Sequence, residues 1–354
     1  MEEAQWGTVL VTGGAGFIGS ALSQRAAERA SRWVVVDNLH PQVHPNRVRP
    51  EALHESAEFF DSDVTDAAAW DLLLKTVRPE VVVHLAAETG TGQSLSEATR
   101  HAAVNVVGTT EMLDAFTRVG HVPRHFVLSS SRAVYGEGQW RRLDTGEEFV
   151  PGPRSHAQLS AGQWDAESAE PLPSEARRTW PTPTSVYGAT KLAQENVLSS
   201  WASAHDARLS ILRFQNVFGP GQSLTNPYTG IVSLFSQLAM RGESIPVYED
   251  GLITRDFVYI DDVVASIDAA MSGTAGVGPF DIGSGRGTTI LELAQFIAEY
   301  HAAPAPTVTG AFREGDVRHA AADISRSGEE LGWAPSWSVE QGIRALQEWI
   351  AGRA

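Results

Sequence analysis

Short apolar runs recur along the first part of the chain, and each is followed by a stretch with helical spacing. The runs are 8–12, 33–36, 57–60, 81–85, 125–128 and 208–214. Short, continuous and bounded by turn residues, they read as buried strands. The helical stretches between them are 20–29, 66–77, 94–119 and 185–205, the second capped by Thr65 or Asp66. Strands alternating with helices predict parallel βαβ units in an α/β, Rossmann-type doubly wound sheet. Right-handed crossovers are expected, with a ligand at the carboxyl ends of the strands.

Two stretches change this rhythm. Residues 137–184 carry Pro, Gly, Ser, charge and Trp140, Trp164 and Trp180 without a clear period. Such a segment is either a mobile surface loop or a folded insert, and the tryptophans favour the insert. Beyond 215 the text is mixed: helices at 230–241, 261–271, 289–300 and 339–350, and strands at 256–259 and 280–282. The expected domains are a dinucleotide-binding unit over 1–215, to which some later segments can return, and a smaller α/β unit over 216–354, mainly for substrate.

Composition narrows the function. The 354 residues carry a net charge of −16, which disfavours non-specific binding to nucleic acid or anionic membranes. An anionic substrate therefore needs a local group of arginines. Cysteine is absent, so disulfides, thiolate-bound metal and a cysteine nucleophile are excluded, and no metal centre is expected. No apolar stretch approaches the roughly 18 residues of a membrane span. Met1 to Trp6 lacks the basic-then-apolar pattern of a signal peptide, so a cytoplasmic location is expected.

The first strand runs into Gly13-Gly14-Ala15-Gly16-Phe17-Ile18-Gly19, and a helix follows at once. Glycines let the backbone approach a ligand closely, and a helix N-terminus behind them favours phosphate. The second strand ends at Asp37, near the offset at which an acid accepts the hydroxyls of an adenosine ribose. A carboxylate there repels a 2′-phosphate, which favours NAD over NADP.

Tyr187 and Lys191 are four apart on one helix and share a face. A free phenol, with a pKa near 10, is too weak an acid to serve as a base at neutral pH. A neighbouring ammonium is expected to draw it down, as would the positive ring of NAD. The product is a phenolate that takes a proton from an alcohol. The same pattern occurs by chance on surface helices, and the preceding fingerprint gives it weight.

With these residues in view, the chain resembles the extended short-chain dehydrogenase/reductase superfamily, in its NAD-dependent sugar epimerase/dehydratase branch. The resemblance spans almost the whole chain. It rests on the glycine loop, Asp37-Asn38-Leu39, Asp61 to Val64, His84 to Ala87, Asn105 to Thr109, Ser129 to Ser131 with Val134-Tyr135-Gly136, Tyr187 to Lys191, Leu212 to Pro220 and Arg255 to Val263. It implies Ser131, Tyr187 and Lys191 as the catalytic set. The cofactor residues it implies are Gly13, Gly16, Phe17, Ile18, Gly19, Asp37, Asn38, Asp63, Val64, Leu85, Ala86, Ala87, Ser129, Tyr187, Lys191, Asn216 and Val217. A nucleotide-diphosphate sugar would meet Glu88, Thr89, Ser131, Arg132, Asn216, Asn226, Tyr228 and Arg255, with Arg318 either a second phosphate ligand or a solvated surface arginine. Relatives of this kind pair the helices near 94–119 and after Tyr187, so a homodimer is expected.

Dehydratases of this family place an acid pair after the serine, where this chain has Arg132-Ala133, so elimination is disfavoured. Branches that epimerise carbons 3 and 5 often use a cysteine, absent here. The expected reaction is 4-epimerisation: oxidation at carbon 4 and hydride return to the other face. The stretches 88–94 and 226–231 are most similar to the group acting on dTDP-6-deoxyhexoses such as dTDP-L-rhamnose. A UDP-glucose/UDP-galactose type, a dehydratase or oxidoreductase, and a non-catalytic NAD-binding regulator remain alternatives.

Overall fold

The computed structural model describes residues 5–223, 230–273 and 278–352. Seven strands form one sheet: β1 (Trp6–Thr12), β2 (Ala30–Asp37), β3 (Glu58–Asp61), β4 (Val81–His84), β5 (His125–Ser131), β6 (Arg208–Phe214) and β7 (Gly278–Ile282). Every pairing in it is parallel. The spatial order is β7-β6-β5-β4-β1-β2-β3. The order reverses between β1 and β4, where an open α/β sheet leaves a crevice for a ligand.

The helices that matter for the site are α1 (Phe17–Ala26), α2 (Ala67–Leu73), α3 (Gly108–Arg118), α4 (Val186–Ala204) and α5 (Ile260–Ser272). They cover both faces of the sheet, which is why its strands read as unbroken apolar runs. Alternation still sorts the side chains. Val9 and Val11 of β1 join a core with Leu22 of α1 and Ile267 of α5. Leu10, between them, joins the opposite core with Trp70 of α2, Phe116 of α3 and Leu198 of α4. The Asp66 carboxylate caps α2 by accepting from the N–H groups of Ala68 and Ala69. That helix ends at Leu73, earlier than the expected 77, and continues as turns.

The run at 280–282 belongs to the central sheet, not to the C-terminal unit: Phe280 pairs with Leu212 and Asp281 with Arg213. The remainder beyond 215 forms a small sheet in which Thr254–Tyr259 pairs with Asn216–Phe218, Gly287–Thr289 and His319–Ala320. Helices Ile231–Met240, Ile290–Tyr300 and Val339–Ala351 bury their apolar sides in the same core as α1 and α5.

Residues 137–184 are folded. Trp140–Arg142 pairs antiparallel with Glu148–Phe149 and Ala169–Pro171, and helix His156–Ser160 starts in a Ser155/Gln158 capping box. Trp140 is buried and lies edge-on to the His319 ring. Trp164 approaches Phe312. Trp180 is exposed and does not contribute to this unit's core. No helix among the described residues is long and apolar enough to cross a membrane.

Candidate active site

The carboxyl ends of β1, β4 and β5 open onto a cleft of about 410 Å³. Gly13 takes φ +64°, and a Cβ there would lie 2.6 Å from the Ala86 nitrogen, so the loop needs glycine on both counts. A Cβ on Gly19 would lie 2.5 Å from the Gly14 Cα, so glycine lets the first turn of α1 pack on the loop. Gly16 precedes α1 and no side chain caps that helix, which leaves its first N–H groups for a phosphate. The Asp37 carboxylate accepts from Ala15 N at 3.1 Å and Leu39 N at 2.9 Å. Burial pushes it above the usual carboxylate range against those bonds and the His44 ring. Asn38 donates to Asp63 at 2.7 Å and joins the two sides of the adenosine end.

Of the residues expected at the cofactor, all but Asn216 line this cleft. Glu88, Thr89 and Ser131 line it from the expected substrate set. Asn226 and Tyr228 lie outside the described residues. A cradle of crowded glycines, an uncapped helix start and a carboxylate one strand away fit a dinucleotide.

Ser131 ends β5 and Tyr187 opens α4, whose first turn is fixed by Ser185 accepting from Gly188 N. The Ser131 hydroxyl accepts from Ala133 N at 3.1 Å and is near enough to the Tyr187 phenol to favour its ionised form. Here the structure corrects the expected electrostatics. The phenol stands above its ordinary value because burial outweighs both the Ser131 bond and the charge of Arg132. The cation acting on it is Arg132. Lys191, 2% exposed, is brought down to about 7 by burial, with the Glu195 charge opposing. Its ammonium donates to Gln194 Oε1 at 2.7 Å.

Arg132 donates from Nε to Asn216 Oδ1 at 3.1 Å. Burial and the neighbouring Arg255 bring it down to about 9. Arg255 is buried and held low by that burial, with Asp316 and Glu137 opposing. A half-buried guanidinium whose charge is opposed by a buried one forms a site that an anion would relieve. Arg318 is different, and its expected phosphate role is corrected. Its guanidinium donates to Asp165, Glu249 and Asp250, all between 2.7 and 3.3 Å. No donor edge is left for a diphosphate, and the residue ties the 137–184 unit to the C-terminal sheet.

Sequence reasoning missed several residues in and behind the cleft. Arg100 donates to Glu88 Oε2 at 2.8 Å and Gln42 Oε1 at 3.1 Å, and so bridges loops on two sides of the cleft. Gln194 was detectable, since it lies three residues after Lys191 on the same helix. Ser130 donates to Glu195, a contact that no local pattern announces.

Residues 9–283 match the NAD dependent epimerase/dehydratase family. The chain belongs to that family. Its cofactor is accordingly NAD, and it is an enzyme of the epimerase type. It is 61% identical to a dTDP-L-rhamnose 4-epimerase of Burkholderia thailandensis over 97% of this chain and 94% of that one. It is 31% identical to a UDP-glucose 4-epimerase of Mycolicibacterium smegmatis, covering 98% and 99% of the two. Among solved structures, a UDP-glucose 4-epimerase of Thermotoga maritima with UDP-glucose superposes with a TM-score of 0.81 at 31% identity, over 98% of this chain and 99% of that one. A Thermus thermophilus UDP-glucose 4-epimerase in complex with NAD gives 0.76 at 27% identity, over 98% and 100%.

Proposed function

We propose that the protein is an NAD-dependent nucleotide-sugar 4-epimerase whose substrate is a dTDP-6-deoxyhexose such as dTDP-L-rhamnose. The observation that carries the substrate is the 61% identity to the Burkholderia enzyme across nearly the full length of both chains. The chemistry rests on Ser131, Tyr187 and Lys191 meeting at one cleft. Tyr187 takes the proton of the 4-hydroxyl and gives it back after the sugar has turned, and Ser131 bridges the two oxygens. NAD, when bound on the glycine loop, takes hydride from carbon 4 and returns it. Arg132 supplies the positive charge that favours the phenolate, and Lys191 meets the cofactor from the same helix as Tyr187. Arg132, Arg255 and Asn216 hold the diphosphate, and Glu88 and Thr89 meet the sugar. A cation at 132 in place of an acid leaves nothing to drive elimination, which supports epimerisation over dehydration. A homodimer through the helices over 94–119 and after Tyr187, on which Leu95 and Val107 are exposed, and a cytoplasmic location belong to the same proposal.

The test is turnover without added NAD. Purified protein should convert dTDP-L-rhamnose to its C4 epimer, followed by proton NMR, and act poorly on UDP-glucose and UDP-galactose. Preference for either UDP sugar would replace the substrate assignment with the UDP-type alternative, which the Mycolicibacterium and Thermotoga relatives support.

A further inference from the structure

A chain of buried polar side chains runs from the glycine loop to Lys191. Thr109 gives its hydroxyl proton to Asn105 O at 2.7 Å. Its oxygen accepts from Gln194 Nε2 at 2.9 Å and lies 2.9 Å from His84 Nε2, which is itself 3.2 Å from Gln194 Nε2. Burial keeps His84 neutral, down to about 3. Its Nδ1 hydrogen-bonds Thr12 Oγ1 at 2.6 Å, and that oxygen accepts from Ala86 N at 3.3 Å. Thr12, His84, Thr109 and Gln194 have no exposed surface.

This fixes the orientation of the Gln194 amide. Its NH₂ faces Thr109 and its oxygen faces the Lys191 ammonium at 2.7 Å. Turning the amide over would set two donors against each other in a buried space. Glu195, the next residue, does not replace it, because its carboxylate is taken by Arg213 and Ser130.

We propose that Gln194 is the positioning residue for Lys191: its fixed amide oxygen holds one ammonium N–H and leaves the other two for the cleft. The proposal rests on the reading of Lys191 as part of the cofactor and catalytic set. It assigns the residue a function that the Tyr-x-x-x-Lys pattern does not contain, and it ties the lysine to the strand end that precedes Gly13.

Gln194→Met keeps length and removes the acceptor, whereas Gln194→Glu keeps an acceptor. In the NAD-bound protein, Gln194→Met should speed exchange of bound NAD and lower kcat, each on the order of ten-fold or more, the effect of a lost bond to a charged group. KM for the sugar should not move. Gln194→Glu should keep both quantities within about three-fold of wild type. Wild-type exchange and kcat in Gln194→Met would overturn the proposal. So would equal impairment of both variants, which is the signature of lost packing. If the Met variant fails to fold, the Glu variant alone decides, and a loss there on the order of ten-fold refutes the assignment. Kinetics are read on whichever nucleotide sugar the wild type converts, and NAD exchange needs no sugar. A wrong substrate assignment is therefore distinguishable from a wrong role for Gln194.

Discussion

Glu195→Gln tests whether the floor of the site is held by charge. Glu195 is 3% exposed and lies on α4, where its carboxylate joins Ser130 of β5 to Arg213 of β6. Arg213 donates to it through Nε at 2.9 Å and Nη2 at 2.6 Å, and Ser130 donates to Oε1. Glutamine fills the same space, but it turns one acceptor into a donor and removes the carboxylate that pairs directly with Arg213. The hydrogen bond from Arg213 to the Tyr135 oxygen at 3.0 Å remains, but its acceptor is a neutral phenol. Leaving one charge of a buried pair unmatched costs about 3–5 kcal/mol. At roughly 2 cal/mol/K of unfolding entropy per residue, a chain of this length should lose about 5 °C in Tm. The Glu195 charge also holds the Lys191 ammonium up, so its removal should push that group below about 7 and end activity at a lower pH. Calorimetry and a pH–rate profile read the two effects. A Tm within about 1 °C of wild type would refute the claim that this pair is a structural charge couple.

Tyr187→Phe should lower kcat by about two orders of magnitude or more while NAD stays bound, measured by turnover and by the cofactor absorbance of the purified protein. Gly13→Ala should expel NAD, because its Cβ would lie 2.6 Å from the Ala86 nitrogen and the φ of +64° strains any side chain; the cofactor content after gel filtration checks this. His125 is buried against Ser210 and brought down to about 4. The unfolded chain takes up its proton near pH 6.5 and the folded chain does not, so the stability is present above that pH and is lost as pH falls toward 4. Compared with His125→Asn, the wild type should lose about 1.4 kcal/mol more per pH unit in that window, as read by denaturant titration.

Much of the scaffold was legible because its signals are local. The glycine loop, Asp37 and the Tyr187–Lys191 spacing each sit within one turn or one strand end, and the apolar runs marked every strand of the sheet, the last as the short run at 280–282. Which later segment returns to the sheet was not legible, because in β7 only Phe280 and Ile282 carry the apolar signal and Asp281 interrupts them. Asp281 is buried there because it accepts from the Tyr135 hydroxyl at 2.7 Å, a partner 146 positions away. Arg318 was misjudged for a related reason. Its three carboxylate partners come from two distant segments, and no sequence window places them together. The electrostatics of Tyr187 depend on Arg132, whose proximity follows from the turn after β5, and on burial, which a helical period cannot report.

The central claim is that carbon 4 of the sugar is oxidised and reduced again by one hydride that never leaves the protein. The direct measurement uses dTDP-L-rhamnose carrying deuterium at carbon 4, converted in ordinary water without added NAD. The account predicts a product inverted at carbon 4 with the deuterium still attached there. Loss of the label to solvent, or no conversion by protein that holds its NAD, would contradict it.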